Sequence, residues 1–306
     1  MISQTARLNR LLGQDRKCLV VALDHGTTGE PRHYQGLEDL ATTVQVVAQS
    51  LPDAILLSLG QSHLLQEIPG RGKPSLVVRS DVTNIYARPS ADPLYCSLLD
   101  TAVEQAVRED AVCVIAHLLH FPDSAGIQEQ CIRNIAVLRS ACDRYGMPLM
   151  VETRSMRRGG RSGAYEPSGR VESLSSVVRQ AVELGADLIK TDPTEDPQDI
   201  DHLVTAAAGK PVLVLGGGRV TETELVRRTQ ILLGKGVSGL VYGRNVFAQG
   251  DPARTVRTLM VMVHEGGLPG TAPASGLGRD PTREQAERRV GAERGHEPGR
   301  NPRGTR

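Results

Sequence analysis

Residues 171–194 read VESLSSVVRQAVELGADLIKTDPT and contain one complete repeat of the fold. Across 171–184 the apolar residues recur at spacings of three and four, which predicts an amphipathic helix. Residues 187–191 follow as a short apolar run without alternation, the pattern of a strand that is buried on both faces. The stretch therefore predicts a helix that leads into a buried parallel strand.

The same alternation of short apolar runs and longer amphipathic stretches recurs along most of the chain. Strands are predicted at 18–23, 54–58, 75–79, 112–117, 148–153, 187–191, 212–215 and 239–242. Helices are predicted at 36–50, 99–109, 126–144, 171–184, 197–208, 222–235 and 252–264, with a shorter element at 59–66. Such alternation implies right-handed crossovers, and eight units favour an α/β fold of the (β/α)8 TIM barrel type over an open doubly wound sheet.

The composition is that of an ordinary globular protein, and the length is consistent with one large core. The 306 residues are 39% hydrophobic and 23% charged, and the net charge is +1. A charge so close to zero offers no case for binding nucleic acid or an anionic membrane surface. We expect one catalytic barrel domain over residues 1–266.

Targeting signals and cysteines favour a cytoplasmic protein. The first 17 residues are polar and lack the apolar core of a signal peptide. No apolar stretch reaches the roughly 18 residues that a membrane span needs. The odd number of cysteines and the lack of a CxxC motif favour buried reduced thiols at Cys18, Cys96, Cys113, Cys131 and Cys142.

Residues 267–306 differ in composition from the rest of the chain. They are rich in glycine, proline and arginine and almost free of large apolar residues. Such a segment buries too little surface to offset the entropy of ordering it, so we predict a disordered tail. A solvated extension is favoured over a weak contact with an anion or a nucleic acid.

Lys190 is the strongest single indication of chemistry. It follows Leu-Ile within a predicted buried strand, where a lysine is costly unless it has a partner or a task. Burial in a barrel lumen is expected to lower the pKa of an amine, and a neutral amine can attack a carbonyl. The structural alternative is a lysine that pairs with Asp24 or Glu152.

Two further pairs of polar residues follow predicted strands. Asp24 and His25 end the first strand, where an acid and an imidazole can move protons, although Asp24 could instead cap the next element. Glu152 and Arg154 end the fifth strand and point the same way by alternation. In the lumen they would form an ion pair near a substrate, or a purely structural layer of charge.

His117 ends the predicted fourth strand, and His120 follows three residues later. Together with Asp24 or His25 they could hold a metal, but no metal-binding spacing supports this, and a structural role is favoured. We therefore expect neither a metal nor a cofactor.

Glycine-rich loops follow the last two strands, as LGGGR at 215–219 and YGRN at 242–245. Glycines expose backbone N–H groups to an anion, and barrels often bind phosphate in these two loops. Arg219 or Arg244 could supply the countercharge.

In this order and spacing, the motifs at Asp24-His25-Gly26, GADLIKTDPT, LGGGRV and VYGRNVF resemble those of the DeoC/LacD-like superfamily, and most closely the archaeal-type class I fructose-bisphosphate aldolases. The related heptulosonate synthases and autoinducer-2 processing enzymes share the pattern. The resemblance covers most of residues 18–265. It implies an iminium on Lys190, orientation of a substrate hydroxyl by Asp24, and phosphate binding by Gly217, Gly218, Gly243 and Arg244.

Arg154 departs from the family pattern, which commonly has a tyrosine there as the general acid or base. An arginine stays protonated and shuttles protons poorly. The proton would then come from Asp24, His25, Tyr165, Glu152 or water, or else Arg154 binds a carboxylate or a second phosphate of a different acceptor.

The resulting hypothesis is a lyase, a class I aldolase that acts on a phosphorylated ketose with dihydroxyacetone phosphate as donor. The alternatives are a transaldol or acyl transferase on the same lysine and a non-catalytic sugar-phosphate-binding protein. By resemblance alone, a homo-oligomer is expected, often a decamer in this family.

Overall fold

A computed structural model describes residues 2–29, 35–86, 93–159 and 164–267. Within them, eight parallel strands form a closed barrel, in which β4 pairs with β5 and β1 with β8. This confirms the predicted TIM barrel. The strands are β1 Cys18–Ala22, β2 Ala54–Ser58, β3 Ser75–Arg79, β4 Cys113–His120, β5 Leu149–Arg158, β6 Leu188–Thr191, β7 Val212–Leu215 and β8 Gly239–Tyr242.

Helices surround the barrel and cover the outward faces of the strands. The α-helices of the described residues are α1 Ile2–Leu11, α2 Leu40–Gln49, α3 His63–Gln66, α4 Ala102–Arg108, α5 Ala125–Tyr145, α6 Val171–Glu183, α7 Ile200–Ala206, α8 Glu222–Gly234, α9 Arg244–Phe247 and α10 Pro252–Glu265. Short 3-10 helices lie at His25–Thr28, Leu59–Gln61 and Pro197–Asp199. None of these helices is long and apolar enough to cross a membrane.

Alternation along each strand divides the core in two. In β1, Leu19 and Val21 face the helices, whereas Val20 and Ala22 face the lumen. Inward residues of the other strands continue the lumen packing at the end where the strands begin, which we call the lower end. They include Leu56, Val77, Ile115, Met150, Leu188 and Leu213.

Helix α1 closes the lower end and was not predicted. Leu11 and Leu12 at its C-terminal end are 1% and 3% exposed and pack with the lumen residues. The polar N-terminal sequence carries too few apolar residues to show a helical pattern, because only one short side of α1 contacts the barrel.

Two strands run further than predicted. Pairing between β4 and β5 continues to His120 and Ser155, beyond the predicted ends at 117 and 153. Strand β5 then continues to Arg158 by antiparallel pairing with Tyr165–Pro167. The predicted ends are early because His117 and the polar run from Glu152 to Ser155 interrupt the apolar pattern, although Leu118, Leu119 and Met156 beyond them remain buried.

A small antiparallel hairpin follows β3, formed by Asp81–Thr83 and Cys96–Leu98. It lies outside the predicted elements and brings the buried side chain of Asp81 to the barrel. The five cysteines are buried, as predicted, and free. Except for Gly267, the predicted tail lies outside the described residues.

Candidate active site

A cavity opens at the C-terminal ends of the strands, which we call the upper end. It brings together most of the residues that the sequence indicated: Asp24, His25, Glu152, Arg154, Lys190, Gly217, Gly243 and Arg244. Gly218 and Arg219 do not line it, and both are exposed.

Lys190 and Glu152 form an ion pair at the centre of this cavity. Strands β5 and β6 are in register so that the two residues are direct neighbours, and Lys190 Nζ donates to Glu152 Oε2 at 2.8 Å. Lys190 is 5% exposed and Glu152 3%. Of the two partners that the sequence offered for the lysine, the structure pairs it with Glu152.

Arg79, at the end of β3, joins both acids and was missed in the sequence. Its Nε donates to Asp24 Oδ2 at 2.8 Å, and its Nη2 donates to Glu152 Oε2. The available signal was the same as for Lys190, a cation that ends a continuous apolar strand. The result is a buried network in which two cations and two carboxylates alternate.

This network determines the charge of the acids. Burial alone would raise the pKa of Asp24, but the nearby Arg79 and Lys190 outweigh it and hold the pKa below its usual value. Burial acts on Glu152 in the same way, and the same two cations lower its pKa well below the ordinary range. Both groups are therefore carboxylates at neutral pH.

His117 lines the cavity beside this network. Asp81 from the hairpin accepts from the backbone N–H of His117 at 2.7 Å and lies 3.0 Å from its Nδ1. Cys96 also donates to Asp81, at 3.3 Å. By contrast, His120 lies against Ser155 at 3.3 Å and does not line the cavity.

Asp81, Cys96 and His117 are also the described residues whose ligand atoms lie close enough to hold a metal ion. Within this group, Cys96 and His117 both donate hydrogen bonds to the carboxylate of Asp81. The guanidinium of Arg79 lies 3.5 Å from Asp81 Oδ1, and a fixed positive charge there opposes a divalent cation. The geometry therefore favours a hydrogen-bonded cluster over a metal centre.

Arg154 lines the cavity on the same side of β5 as Glu152, but its guanidinium forms an ion pair with a different carboxylate. Its guanidinium binds Asp192, with Nη2 at 2.9 Å from Oδ1 and Nε donating to Oδ2 at 3.1 Å. Nη1 donates to the hydroxyl of Tyr86 at 3.0 Å. The expected ion pair between Arg154 and Glu152 is thus replaced by one with Asp192.

His25 follows β1 at the far side of the cavity. Burial lowers the pKa of His25 to about 4, so its imidazole is neutral at neutral pH. Its ring packs edge-on against Phe247 at 5.1 Å between centroids. Tyr165, another candidate proton donor in the sequence, lies outside the cavity and donates to Asp123 at 2.8 Å.

The loops after β7 and β8 meet at the cavity wall. Arg244 Nη2 donates to the carbonyl of Gly217 at 3.0 Å. The fully buried Asn245, which the sequence did not single out, donates to the carbonyls of Gly216 and Gly218 at 2.8 and 3.1 Å. These bonds hold the two glycine loops together at the cavity wall, where Gly216, Gly217 and Gly243 line the cavity.

Gly243 lies where no side chain fits. A Cβ there would be 2.4 Å from His25 Cε1 and 2.9 Å from the Ala22 carbonyl oxygen. Gly217 has a φ of +64°, a left-handed conformation that glycine adopts without strain. The glycines are thus required by the local geometry.

Comparisons with known proteins point to one family. The model of the DeoC/LacD family aldolases matches residues 18–249. An uncharacterized aldolase from Saccharolobus solfataricus is 27% identical over 270 residues, 87% of this chain and 96% of that protein. A 2-amino-3,7-dideoxy-D-threo-hept-6-ulosonate synthase from Halobacterium salinarum is 28% identical over 275 residues, 89% of this chain and 95% of that protein.

Among solved structures, a Schiff-base-forming fructose-1,6-bisphosphate aldolase has a TM-score of 0.70 and 26% identity, covering 85% of this chain and 100% of that one. The family model spans well over half of the chain, and the barrel agrees with it. This chain is a class I aldolase-family enzyme and belongs to the DeoC/LacD family.

Proposed function

We propose that the protein is a class I aldolase that cleaves or forms a C–C bond in a phosphorylated ketose, with dihydroxyacetone phosphate as the donor. The observation that carries this proposal is the buried amine of Lys190, which faces a cavity and is 2.8 Å from a carboxylate. An amine so placed can form an iminium with a ketone, and the iminium accepts electrons when the C–C bond breaks.

Asp24 is proposed to orient the substrate hydroxyl next to the bond that breaks. It lines the cavity and remains charged, because Arg79 holds it as a carboxylate. A carboxylate in this position can accept the hydroxyl proton as the aldehyde forms.

The phosphate is proposed to bind between the two glycine loops. Gly217, Gly243 and Arg244 line the cavity there, and Gly218 belongs to the first loop. Backbone N–H groups would hold the oxygens and Arg244 would supply the charge. Arg219 is exposed outside the cavity, so we assign the phosphate countercharge to Arg244.

Arg154 supports a second candidate, a transferase on the same lysine. Its guanidinium lines the cavity, where the family commonly has a tyrosine, and it is suited to a carboxylate or a second phosphate of the acceptor. The synthase among the relatives is consistent with such a reaction. Asp192 would have to share the guanidinium with that group.

The experiment is an aldol assay in both directions, on fructose 1,6-bisphosphate and on dihydroxyacetone phosphate with a panel of aldehydes. Cleavage or condensation that persists with EDTA supports the lyase. Turnover only with a carboxylate- or phosphate-bearing acceptor, abolished in Arg154→Met, would favour the transferase. Binding of the sugar phosphate without any turnover would contradict both and leave a non-catalytic binding protein. A homo-oligomeric state, such as a decamer, and a cytoplasmic location both remain predictions.

A further inference from the structure

His117 is a buried imidazole for which the proposed function has no role. It is 2% exposed and lines the cavity. The charged and titratable groups that face it come from three elements: Arg79 at the end of β3, Asp81 and Cys96 in the hairpin, and Glu152 on β5.

Asp81 determines which way the imidazole points. Its two oxygens hold the backbone N–H and Nδ1 of His117, at 2.7 and 3.0 Å. Since a carboxylate only accepts, the proton of the ring lies on Nδ1. Arg79 Nη1 is 3.3 Å from this nitrogen and 3.5 Å from Asp81 Oδ1, and its N–H is directed to the carboxylate, because a protonated ring nitrogen cannot accept.

The other ring nitrogen then faces the ion pair. His117 Nε2 is 3.6 Å from Glu152 Oε2, the same oxygen that accepts from Lys190 Nζ at 2.8 Å. One carboxylate oxygen therefore lies between the lysine and the imidazole. A small movement of either side chain completes a proton path from Nζ to Nε2.

Lys190 needs such a path before it can react. In the structure Lys190 forms an ion pair with a carboxylate, and a lysine that carries the charge of an ion pair has no lone pair with which to attack a carbonyl. Glu152 forms ion pairs with both Arg79 and Lys190, which stabilise its carboxylate, so it does not retain a proton. Imidazole is the side chain that takes up and releases a proton near neutral pH.

We propose that His117, oriented by Asp81, stores the proton that Lys190 gives up before it attacks the substrate carbonyl, and returns that proton when water leaves. The proposal rests on the proposed iminium on Lys190. It makes His117 a proton carrier that acts through Glu152.

The protons balance over the whole sequence. The ammonium passes one proton through Glu152 to His117, and the amine lone pair forms the C–N bond as the carbonyl π electrons move to oxygen. A second proton moves from nitrogen to that oxygen and gives the carbinolamine. The proton stored on His117 then returns to the hydroxyl, the C–O bond breaks, and water leaves. Ammonium and ketone thus become iminium and water, and His117 is unchanged.

The test is the rate of iminium formation in His117→Asn. The amide nitrogen of an asparagine reaches about as far as Nδ1, so it can still donate to Asp81, but it cannot store a proton. Full-length protein is mixed with dihydroxyacetone phosphate and quenched with borohydride after increasing times, and intact mass gives the trapped fraction. His120→Asn is the matched control, because His120 lies on the same strand outside the cavity.

We expect His117→Asn to be trapped at least about 100-fold more slowly than wild type near neutral pH, with the same final yield. Its rate should rise steeply with pH, since hydroxide must now deprotonate the lysine, and added imidazole should restore part of it. His120→Asn should match wild type. His117→Gln serves as a second variant if the asparagine variant does not fold.

A wild-type rate and pH profile in both His117 variants would overturn the proposal. So would a slow rate that neither imidazole nor higher pH restores, because that indicates a structural role. If the wild-type protein itself is not trapped, the result is different. It contradicts the iminium on Lys190, and with it the role of His117 that depends on that iminium.

Discussion

The two ends of the barrel lumen are lined by the same eight strands and differ completely in chemistry. On β6, Leu188 packs among apolar side chains at the lower end, and Lys190 enters the charged network at the upper end. On β5 the same step separates Met150 from Glu152. On each of these strands, a step of two residues thus changes the lumen lining from apolar to charged side chains.

The difference lies in what completes each end. The lower end is filled by apolar side chains and is closed by α1, so its residues contribute mainly to folding stability. The upper end opens into the cavity and is lined by buried charges, which are costly unless they are paired. Substitutions at the two ends should therefore separate stability from activity.

The largest effect is expected at the upper end, for Lys190→Ala. Loss of the amine removes the iminium, and the aldol rate should fall at least about 1,000-fold. Lys210→Ala is the matched control, because Lys210 lies two residues before β7 at the lower end. Steady-state kinetics of both variants measure the effect. Comparable losses of aldol rate in both would contradict the assignment of catalysis to the upper end alone.

The next effect is expected at the lower end, for Leu188→Ala. The side chain is fully buried, so its truncation should reduce the free energy of unfolding by about 2–5 kcal/mol. Urea unfolding measures this loss. The matched control is Leu51→Ala, since Leu51 is 55% exposed and should change stability by less than about 0.5 kcal/mol.

If folded Leu188→Ala protein also loses most of its kcat, the lower end is not merely structural. That outcome would mean that packing one pleat away controls the position of Lys190.

A smaller effect is expected for Gly243→Ala, at the wall of the upper end. The new methyl group would overlap His25 and the Ala22 carbonyl, so the loop must shift. We expect the KM for the phosphorylated ketone to rise about tenfold, which corresponds to about 1.4 kcal/mol of binding. In Gly234→Ala a methyl group meets no atom within 4 Å, and unchanged kinetics are expected. An unchanged KM in Gly243→Ala would place the phosphate elsewhere.

The smallest effect concerns the pH dependence of stability at the lower end. His264 on α10 lies 3.0 Å from Asp15 and 2.9 Å from Asp53. Burial alone would lower the pKa of His264, but hydrogen bonds with Asp53 and Asp15 outweigh it and raise that pKa. Because the folded pKa is raised, this stabilisation is complete below the unfolded value near 6.5 and is lost as pH rises through the folded pKa.

We expect the loss to be roughly 0.5–1 kcal/mol, measured as urea unfolding at several pH values across this window. His264→Gln should lack this part of the pH dependence. A wild-type protein that becomes more stable over the same window would contradict the assignment.

The sequence predicted the features that depend on strand position. Lys190 interrupts an apolar strand, and Glu152 and Arg154 alternate with Thr153; all three charged side chains line the cavity. The glycine loops were predicted for the same reason, because their place after the last two strands is known from chain order.

The partners within the site could not be predicted in this way. Arg79 reaches Asp24 and Glu152 across the lumen, and that distance depends on how the barrel closes. Asp81 lies in a hairpin whose short strands show no clear pattern. Arg154 was expected beside Glu152 and instead pairs with Asp192 on the neighbouring strand's loop, which carries the nearer carboxylate.

The central claim is that Lys190 forms an iminium with a phosphorylated ketone. Its most direct test is to incubate the protein with dihydroxyacetone phosphate and sodium borohydride, digest it, and map the modified peptide by mass spectrometry. The account predicts one reduced adduct, on Lys190, that is absent from Lys190→Ala. An adduct on another lysine, or none with any phosphorylated ketone tested, would contradict it.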